Sequence, residues 1–261
     1  MKKVLLFFVA IMVVFQLVAQ SSRYAESSVL STGDWYKIQV EQSGIYKITY
    51  EQLIEMGVKN PANVSVFGYG GAQLAEAFSK PYIDDLPQVS IYMEKGSDDV
   101  FGAGDYILFY ALGPIKWTYN TKQKIFEHEI NTYSNYGYYF ITSDYSSTKF
   151  ISTKDNSSKS VSNVITSYSD YFLHEKDELN LLNSGRVYLG DIFDGSKLSR
   201  NYTFNITNLL SESAILRVDM IHNNFSSASV QVSVDNTLVG TASLLARPSN
   251  DVLATKINQK Y

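Results

Sequence analysis

Cysteine is missing from this sequence: none of its 261 residues is a Cys. A thiolate is the nucleophile of cysteine peptidases, a ligand of many zinc sites and iron–sulfur clusters, and the precursor of every disulfide. The chain therefore cannot perform any of this chemistry with its own side chains. Its fold must be held together by packing and not by a covalent cross-link.

Histidine and positive charge are also scarce. The chain has 3 His, and its 22 Lys and Arg are outnumbered by 26 Asp and Glu, which gives a formal net charge of −4. Nucleic-acid binding depends on a clustered positive surface, which these scattered basic residues do not suggest. We therefore expect no nucleic-acid partner.

The chain is rich in apolar and aromatic side chains, with 45% hydrophobic residues, 20 Tyr and 14 Phe. Only 18% of the residues are charged, so the composition is that of a globular protein and not of a disordered tail. A chain of 261 residues can bury the core of one large domain or of two small ones.

The first twenty residues are predicted to be a secretory signal peptide. Two lysines precede an apolar run over residues 4–18, and a small Ala19 and several polar residues follow it. The run is shorter than the roughly 20 residues that a membrane-spanning helix needs, which disfavours a membrane anchor. Removing residues 1–20 takes away two Lys and no acid, leaving 20 positive against 26 negative groups and a formal charge of −6. We expect an acidic, exported mature protein.

Residues 21–142 are predicted to form an N-terminal β domain. Short runs rich in aromatic and β-branched residues alternate with turn clusters of Gly, Asn and Asp, as in antiparallel sheets. The turn at Ser43-Gly44 predicts a hairpin that joins strands at 35–40 and 45–48. Further strands are predicted at residues 64–67, 89–93, 106–111 and 136–142.

One short helix is predicted inside this domain, over about residues 50–56. Thr49 is placed to cap its first turn, and Gln52 three residues later completes a capping box. Gly57 is placed to end the helix. The pattern predicts that Leu53 and Ile54 are buried.

Residues 143–170 are predicted to be a Ser-rich linker or a long exposed hairpin, because ten serines lie between residues 143 and 169 and large apolar residues are few. Residues 171–261 are predicted to begin a second β domain, with a tight turn at Asp235-Asn236. Its predicted elements are a brief helix at 175–182 and strands at 202–206, 215–221, 230–234 and 238–242.

About four strands after residue 200 are fewer than the seven or so of a complete sandwich. The fold class predicted is therefore mainly β: an antiparallel β-sandwich-like domain with one short helix, followed by an incomplete, truncated second β-sandwich. Residues 200–261 are expected to leave an unpaired edge strand and an open apolar face, which promote association.

Asp98, Asp99 and Asp105 surround two glycines and form a weak candidate calcium site. Calcium prefers oxygen ligands on a flexible loop, but this spacing does not match the helix-loop-helix calcium pattern. A solvated turn that leads into the strand at 106–111 is the favoured alternative. We predict no other metal site and no other cofactor.

His128, His174 and His222 match no catalytic motif, since the chain has neither a His-Glu-x-x-His helix nor a Gly-x-Ser-x-Gly elbow. An autonomous hydrolase is therefore disfavoured, and no catalytic residue is predicted. An aromatic cluster on or near the strand at 136–142 could stack sugars or receive a partner strand, although tyrosine also suits half-buried strand positions and alternation explains most of these residues. The cluster consists of Tyr133, Tyr136, Tyr138 and Tyr139.

Several segments taken in order over residues 34–200 are similar to one family. They are SGIYKITY (43–50) with Leu53 and Gly57, FGYGG (67–71), DDLP (84–87), GDYILFYALGP (104–114) with Trp117, YYFIT (138–142), and NLLNSGR (180–186) with Gly190 and Phe193. This set resembles the N-terminal region of the gingipain-like cysteine peptidases that act as sortases of the type IX secretion system in Bacteroidota.

The resemblance implies a surface-exposed, outer-membrane-associated enzyme that removes C-terminal sorting signals from secreted cargo and attaches the cargo to surface lipopolysaccharide. It also implies partners: type IX secretion components, cargo proteins and the chain's own downstream peptidase domain. In that family a Cys and a His in this later domain perform the cleavage. Because this chain has no Cys, no catalytic residue is carried over, and we expect an inactive fragment.

A second hypothesis remains open beside this one. The chain could be an independent exported β-sandwich module that binds glycans or surface partners, as its Tyr-rich strands and acidic turns suggest.

Overall fold

The computed structural model describes residues 24–77, 79–80, 82–154, 160–161, 163–180, 188–247 and 255–260. The signal peptide predicted for residues 1–20 lies outside these residues. The chain divides into two compact units, unit 1 up to Thr166 and unit 2 from Ser167. The division falls within the segment 143–170 that was predicted to be a linker or a long hairpin.

Unit 1 contains nine strands, one α-helix and two short 3-10 turns among its described residues. The 3-10 turns are Val29–Ser31 and Pro61–Asn63, and the helix α1 is Tyr50–Met56. The strands are β1 (Tyr36–Val40), β2 (Gly44–Thr49), β3 (Ser65–Gly70), β4 (Gln88–Val89), β5 (Ile91–Glu94), β6 (Tyr106–Ala111), β7 (Ile115–Asn120), β8 (Ile125–Ile130) and β9 (Gly137–Thr142).

The strands of unit 1 form three antiparallel sheets, ordered β1-β9-β3-β4, β2-β6-β5 and β7-β8. The predicted hairpin between β1 and β2 is wrong, because β1 pairs with β9 and β2 pairs with β6. Each strand has one apolar face, and placing the two strands in different sheets lets both faces enter the same core. The turn at Ser43-Gly44 therefore joins two sheets and not two paired strands.

Two further features of the sheets differ from the prediction. The strand predicted at 89–93 is divided at Ser90 into β4 and β5, which lie in different sheets. The β7–β8 hairpin was not predicted at all. Part of the predicted linker also pairs, since Phe150 forms a parallel bridge with Ile91 and the Ile151 amide donates to the Ile91 carbonyl at 2.8 Å.

Helix α1 has the predicted bounds and the predicted caps. The Thr49 hydroxyl accepts a hydrogen bond from the Gln52 amide, the Gln52 side chain accepts one from the Thr49 amide, and Gly57 ends the helix with a left-handed φ of 94°. Leu53 is buried as predicted, but Ile54 is 49% exposed. A seven-residue helix lying on a sheet buries one narrow stripe, and the next residue along points about 100° away from it.

The core of unit 1 draws on strands of two sheets, as expected for a sandwich. Val66 and Ile141 come from the β1-β9-β3-β4 sheet, and Ile107 and Phe109 come from the β2-β6-β5 sheet; all four belong to one cluster and are almost completely buried. This arrangement removes the apolar faces of both sheets from water at once.

Two glycines of segment 67–71, Gly70 and Gly71, lie directly against a second segment of the chain. Gly70 has a φ of 89°, and a Cβ at this position would lie 2.5 Å from Leu112 Cβ. At Gly71 a Cβ would lie 2.7 Å from the backbone nitrogen of Pro114. Segments 67–71 and 104–114, both part of the family resemblance, are therefore in contact in the fold.

Unit 2 contains two separate two-stranded antiparallel sheets among its described residues. They pair β10 (Arg217–His222) with β13 (Thr255–Lys260) and β11 (Ala228–Val234) with β12 (Thr237–Leu244). The predicted turn at Asp235-Asn236 is confirmed. Both residues have positive φ, 48° and 65°, as the two central residues of a tight hairpin turn require.

Two elements predicted for unit 2 are wrong in the residues that can be compared. Residues 175–180 form no helix, and residues 202–206 form no strand. Among the described residues 175–180 and 188–206, the backbone forms isolated bridges, such as Leu179 with Leu189. Side chains connect this part of the chain instead, as in the Phe172–Phe204 ring pair at 6.1 Å.

Candidate functional site

The three acidic residues of the candidate calcium site lie in the turn before β6 and make local contacts. The carboxylates of Asp98 and Asp105 accept hydrogen bonds from backbone amides two and three residues away, at 3.1 and 2.8 Å. Asp99 lies 3.5 Å from Lys95 Nζ. Across the part of the chain that the structure describes, no group of three or more His, Asp or Glu side chains is arranged to hold a metal ion. Calcium binding at these residues stays a prediction.

The four tyrosines of the aromatic cluster do not share one surface. Tyr133 is 77% exposed, whereas Tyr139 is buried, and burial raises the pKa of Tyr139. The Tyr139 hydroxyl accepts a hydrogen bond from the Leu112 amide at 2.8 Å. Lys37 Nζ lies 3.8 Å from the centre of the Tyr138 ring. Strand alternation accordingly divides these rings between the core and the surface.

The three histidines lie on different elements. His128, on β8, lies beside Trp117 of β7 with the ring centres 5.0 Å apart. His222, the last residue of β10, has its Nδ1 atom 3.0 Å from the Leu245 carbonyl oxygen. His174 lies in the irregular part of unit 2 and contacts a carboxylate.

That carboxylate belongs to Asp191, the centre of a polar group that we call the Asp191 cluster: His174, Asp191, Arg200 and Tyr202. His174 Nε2 lies 2.8 Å from Asp191 Oδ2, and Arg200 Nη1 lies 3.1 Å from Asp191 Oδ1. The Tyr202 hydroxyl interacts with Asp191, and the Tyr202 ring lies 4.4 Å from the His174 ring. One carboxylate thus connects three segments of the chain.

Further contacts orient the side chains of the Asp191 cluster and shift their pKa values. The Arg200 guanidinium also donates from Nε and Nη2 to the Ile192 carbonyl, at 3.1 and 2.7 Å, so its plane is held on two sides. The hydrogen bond from His174 holds the pKa of Asp191 below its ordinary value, and the Tyr202 hydroxyl and Arg200 add to this effect against a smaller opposing effect of burial. Burial, followed by the bond to Asp191, raises the pKa of Tyr202.

The Asp191 cluster borders a cavity of about 340 Å³ that Lys176, Lys197 and Ser199 also line. Within the described residues, no serine hydroxyl hydrogen-bonds to the His174 ring. Two of the cations at the cavity already face a carboxylate of this chain, Arg200 at Asp191 and Lys176 at Glu178. The Asp191 cluster is therefore a polar network that connects irregular segments of the chain.

Carboxylates also hold the N-terminal segment, residues 24–34, against the rest of unit 1. The Ala25 amide donates to Asp84, while the Ser28 hydroxyl and the Val29 amide donate to the two oxygens of Asp85 at 2.9 and 2.7 Å. Burial raises the pKa of Asp85, but the hydrogen bonds from neighbouring amides and from Ser28 outweigh it and hold this pKa below its ordinary value. In the sequence, Asp84 and Asp85 stand out only within the DDLP segment of the family resemblance, and nothing there marks them as hydrogen-bond acceptors for residues 24–34.

This chain is similar to PorU. The crystal structure of dimeric latent PorU from Porphyromonas gingivalis matches it with a TM-score of 0.62 and 28% sequence identity, over 92% of this chain and 22% of that chain. No family model and no curated protein matches the sequence.

The similarity to PorU covers nearly the whole of this chain but only about a fifth of the PorU chain. The fold is PorU-like and mainly β, as the sequence predicts, with several antiparallel sheets. Among the residues that the structure describes, no helix is long and apolar enough to cross a bilayer.

Proposed function

We propose that this chain is the N-terminal, non-catalytic region of a type IX secretion system sortase. The similarity to PorU over 92% of the chain, at 28% identity, supports the proposal. The ordered sequence segments 43–50, 67–71, 84–87, 104–114, 138–142 and 180–186, which resemble the same family, are consistent with it. In the family that they resemble, the full-length enzyme removes C-terminal sorting signals from secreted cargo and attaches the cargo to surface lipopolysaccharide.

The role proposed for this region is to support the peptidase domain and not to cleave. The family's mechanism forms a thioester on a cysteine, and this chain has no Cys to supply the thiolate. Its partners would be the downstream peptidase domain, type IX secretion components and cargo. The protein would be exported and held at the outer membrane or cell surface.

The alternative, an independent module that binds glycans or surface partners, stays a prediction. Of the tyrosines that suggested it, Tyr133 is well exposed, while Tyr139 lies in the core and Tyr138 lies under Lys37. The PorU-like fold therefore gives more support to the sortase proposal.

An in-frame deletion of the codons for residues 24–261 in the producing bacterium tests the proposed function. Cargo proteins should accumulate with their C-terminal signals uncleaved, as measured by mass spectrometry of the intact proteins. A strain carrying Tyr133→Ala, a change at an exposed side chain, is the matched control and should process cargo normally. Normal processing in the deletion strain would overturn the proposal.

The purified chain provides a second test. It should cleave no peptide that carries a C-terminal sorting signal. Turnover that is lost on changing His174 to Ala would identify an autonomous hydrolase instead.

A further inference from the structure

A cavity of about 260 Å³ in unit 1, which we call the Trp35 cavity, is lined partly by the N-terminal segment. The rest of its lining comes from Trp35, from the end of β9 and from the residues that follow β9. Pockets that hold drug-sized ligands have about 300–1,000 Å³. The Trp35 cavity is therefore suited to a group about as large as one side chain.

Hydrogen bonds fix the parts of the chain that line the cavity. The Asp34 amide donates to Asp144 Oδ2 at 2.8 Å, which connects the N-terminal segment to the chain after β9. The Asp144 amide donates to the Thr142 hydroxyl at 3.0 Å, and Trp35 Nε1 donates to the Thr32 carbonyl at 2.7 Å. These bonds hold the Asp144 carboxylate and the Trp35 ring at the same cavity.

Two aromatic rings at the cavity pack against a third ring in the core. Trp35 and Tyr145 each contact Phe67 edge-on, with ring centres 5.2 and 4.9 Å apart. Phe67 is almost completely buried, whereas Tyr145 is 40% exposed and Trp35 is half-buried. The core therefore orients two rings that remain partly accessible, and the face of an aromatic ring carries partial negative charge.

Several oxygen atoms of the lining residues are unpaired. Among the residues that the structure describes, Asp144 Oδ1 has no hydrogen-bond partner. Within the same residues, the side-chain hydroxyls of Ser27, Ser31 and Thr32 also have none. In the described part of the chain, no Lys, Arg or His side chain lines the cavity. The cavity thus offers a carboxylate oxygen, hydroxyl oxygens and ring faces, and no positive charge for an anion.

The charged groups next to the lining residues are negative on balance. Asp85 accepts a hydrogen bond at 2.9 Å from Ser28, which lines the cavity, and Asp144 lines it directly. Lys59 Nζ lies 2.5 Å from the carboxylate of Asp34. One cation is thus set against three carboxylates, so these surroundings attract a further cation.

We propose that the Trp35 cavity binds a primary ammonium group at the end of an alkyl chain, such as the side chain of a lysine. An ammonium has three donors and no acceptor, so it can bond to Asp144 Oδ1 and to hydroxyl oxygens at once. Its charge and its alkyl chain also favour contact with the rings of Trp35 and Tyr145. An anion would meet the Asp144 carboxylate without a compensating cation, and an apolar group would leave that carboxylate unpaired. This site does not depend on the proposed function.

Tryptophan fluorescence tests the proposal, because Trp35 lines the cavity. A Trp117→Phe background leaves Trp35 as the one tryptophan of the chain. Nα-acetyl-lysine methylamide is the probe, and its Nε-acetylated form, which lacks the charge, is the matched control. At constant ionic strength the charged probe should change the Trp35 emission saturably and bind at least about twofold more tightly than the control. Equal saturable binding of both would show that the charge is not recognised and would overturn the proposal.

Three substitutions then locate the site. Asp144→Asn removes the charge, keeps an oxygen that can accept the Asp34 amide, and should weaken binding of the charged probe about twofold to fivefold. Tyr145→Leu leaves every carboxylate in place and should weaken binding by a similar factor. Asp98→Asn, in the turn before β6, is the matched control and should leave binding unchanged. Equal effects of Asp144→Asn and Asp98→Asn would place the binding elsewhere and overturn the assignment.

A second probe separates the two sources of such an ammonium group. n-Butylamine has the same alkyl chain as a lysine side chain but no peptide groups. Comparable binding of both probes would support a lysine side chain of a peptide or protein as the ligand, and binding of n-butylamine alone would support a free amine. Failure of both probes to change the Trp35 emission would overturn the proposal.

Discussion

Units 1 and 2 are built from the same kind of element, short antiparallel strands, but they differ in what those strands bury. In unit 1, residues such as Ile107, Phe109 and Ile141 come from two sheets and form one dry core. In the described part of unit 2, the buried apolar side chains are Ala242 and Leu244. Strand content alone therefore does not make a stable domain, because the stabilising step is the burial of one sheet face against another.

The two units also differ in how their irregular segments are held. In unit 1 the N-terminal segment 24–34 is fastened by hydrogen bonds to carboxylates on a folded sandwich. In unit 2 the Asp191 cluster connects segments that have almost no regular backbone pairing around them. We therefore expect unit 1 to respond most strongly to changes in packing, and unit 2 to changes in charge.

The same substitution placed in each unit should have the most unequal effects. Phe109→Ala removes a buried ring from the core of unit 1 and should cost about 3–5 kcal/mol. Phe225→Ala in unit 2 removes a ring that is 61% exposed and lies 4.5 Å from the Arg247 guanidinium, and should cost less than about 1 kcal/mol.

Urea unfolding followed by tryptophan fluorescence reports on the first change, because both tryptophans, Trp35 and Trp117, lie in unit 1. Hydrogen exchange of β11 reports on the second. Similar costs for the two variants would contradict the contrast between the units.

Two glycines with similar φ show how much close packing adds to the stability of unit 1. Gly70→Ala should cost about 2–4 kcal/mol, because a left-handed backbone is strained for alanine and the new Cβ would meet Leu112. Gly104→Ala has a similar φ of 91° but open space around the Cβ, and should cost about 1–2 kcal/mol. The same fluorescence measurement compares them, and equal costs would show that the contact with Leu112 adds nothing.

Unit 2 should lose stability in acid through Asp191. Its pKa is lower in the folded protein than in the unfolded chain, so the stabilisation is complete above the ordinary Asp value of about 4 and is lost as the pH falls through the lowered folded value. Hydrogen exchange near residues 188–206, corrected for the intrinsic rate at each pH, should therefore increase in this range. Asp191→Asn should remove this acid-dependent increase in hydrogen exchange. An unchanged pH profile in that variant would show that Asp191 does not cause it.

The smallest effect is expected at the N-terminal segment. Asp85→Ala removes the acceptor of two hydrogen bonds, from Ser28 and Val29, and should make residues 24–34 a few-fold more sensitive to limited proteolysis. Asp98→Ala, in another turn, is the control and should not change cleavage there. The rest of unit 1 should stay resistant in both variants.

Elements whose determining interactions are local could be predicted from the sequence. The capping box at Thr49 and Gln52 and the left-handed Gly57 lie within nine residues, and they predict α1 with its observed bounds. The Asp235-Asn236 turn is equally local, since its backbone geometry depends on those two residues.

The features that the sequence did not predict depend on contacts between residues far apart in the chain. Which strand pairs with β1 depends on β9, about a hundred residues later, and the turn after β1 contains no information on that choice. The Asp191 cluster joins His174 to a residue 17 positions later across irregular chain, so no periodic pattern marks it. The only signals were the rarity of His and the nearby basic residues.

The contrast between the units can be measured most directly by hydrogen exchange along the purified 261-residue chain. We predict that amides of β6 and β9 exchange at least about a hundredfold more slowly than amides of β11 and β12, because only the first pair lies in a core closed by two facing sheets. Equal protection of the two sets, lost together in one cooperative transition, would contradict the claim that the two units differ in how well their strands are buried.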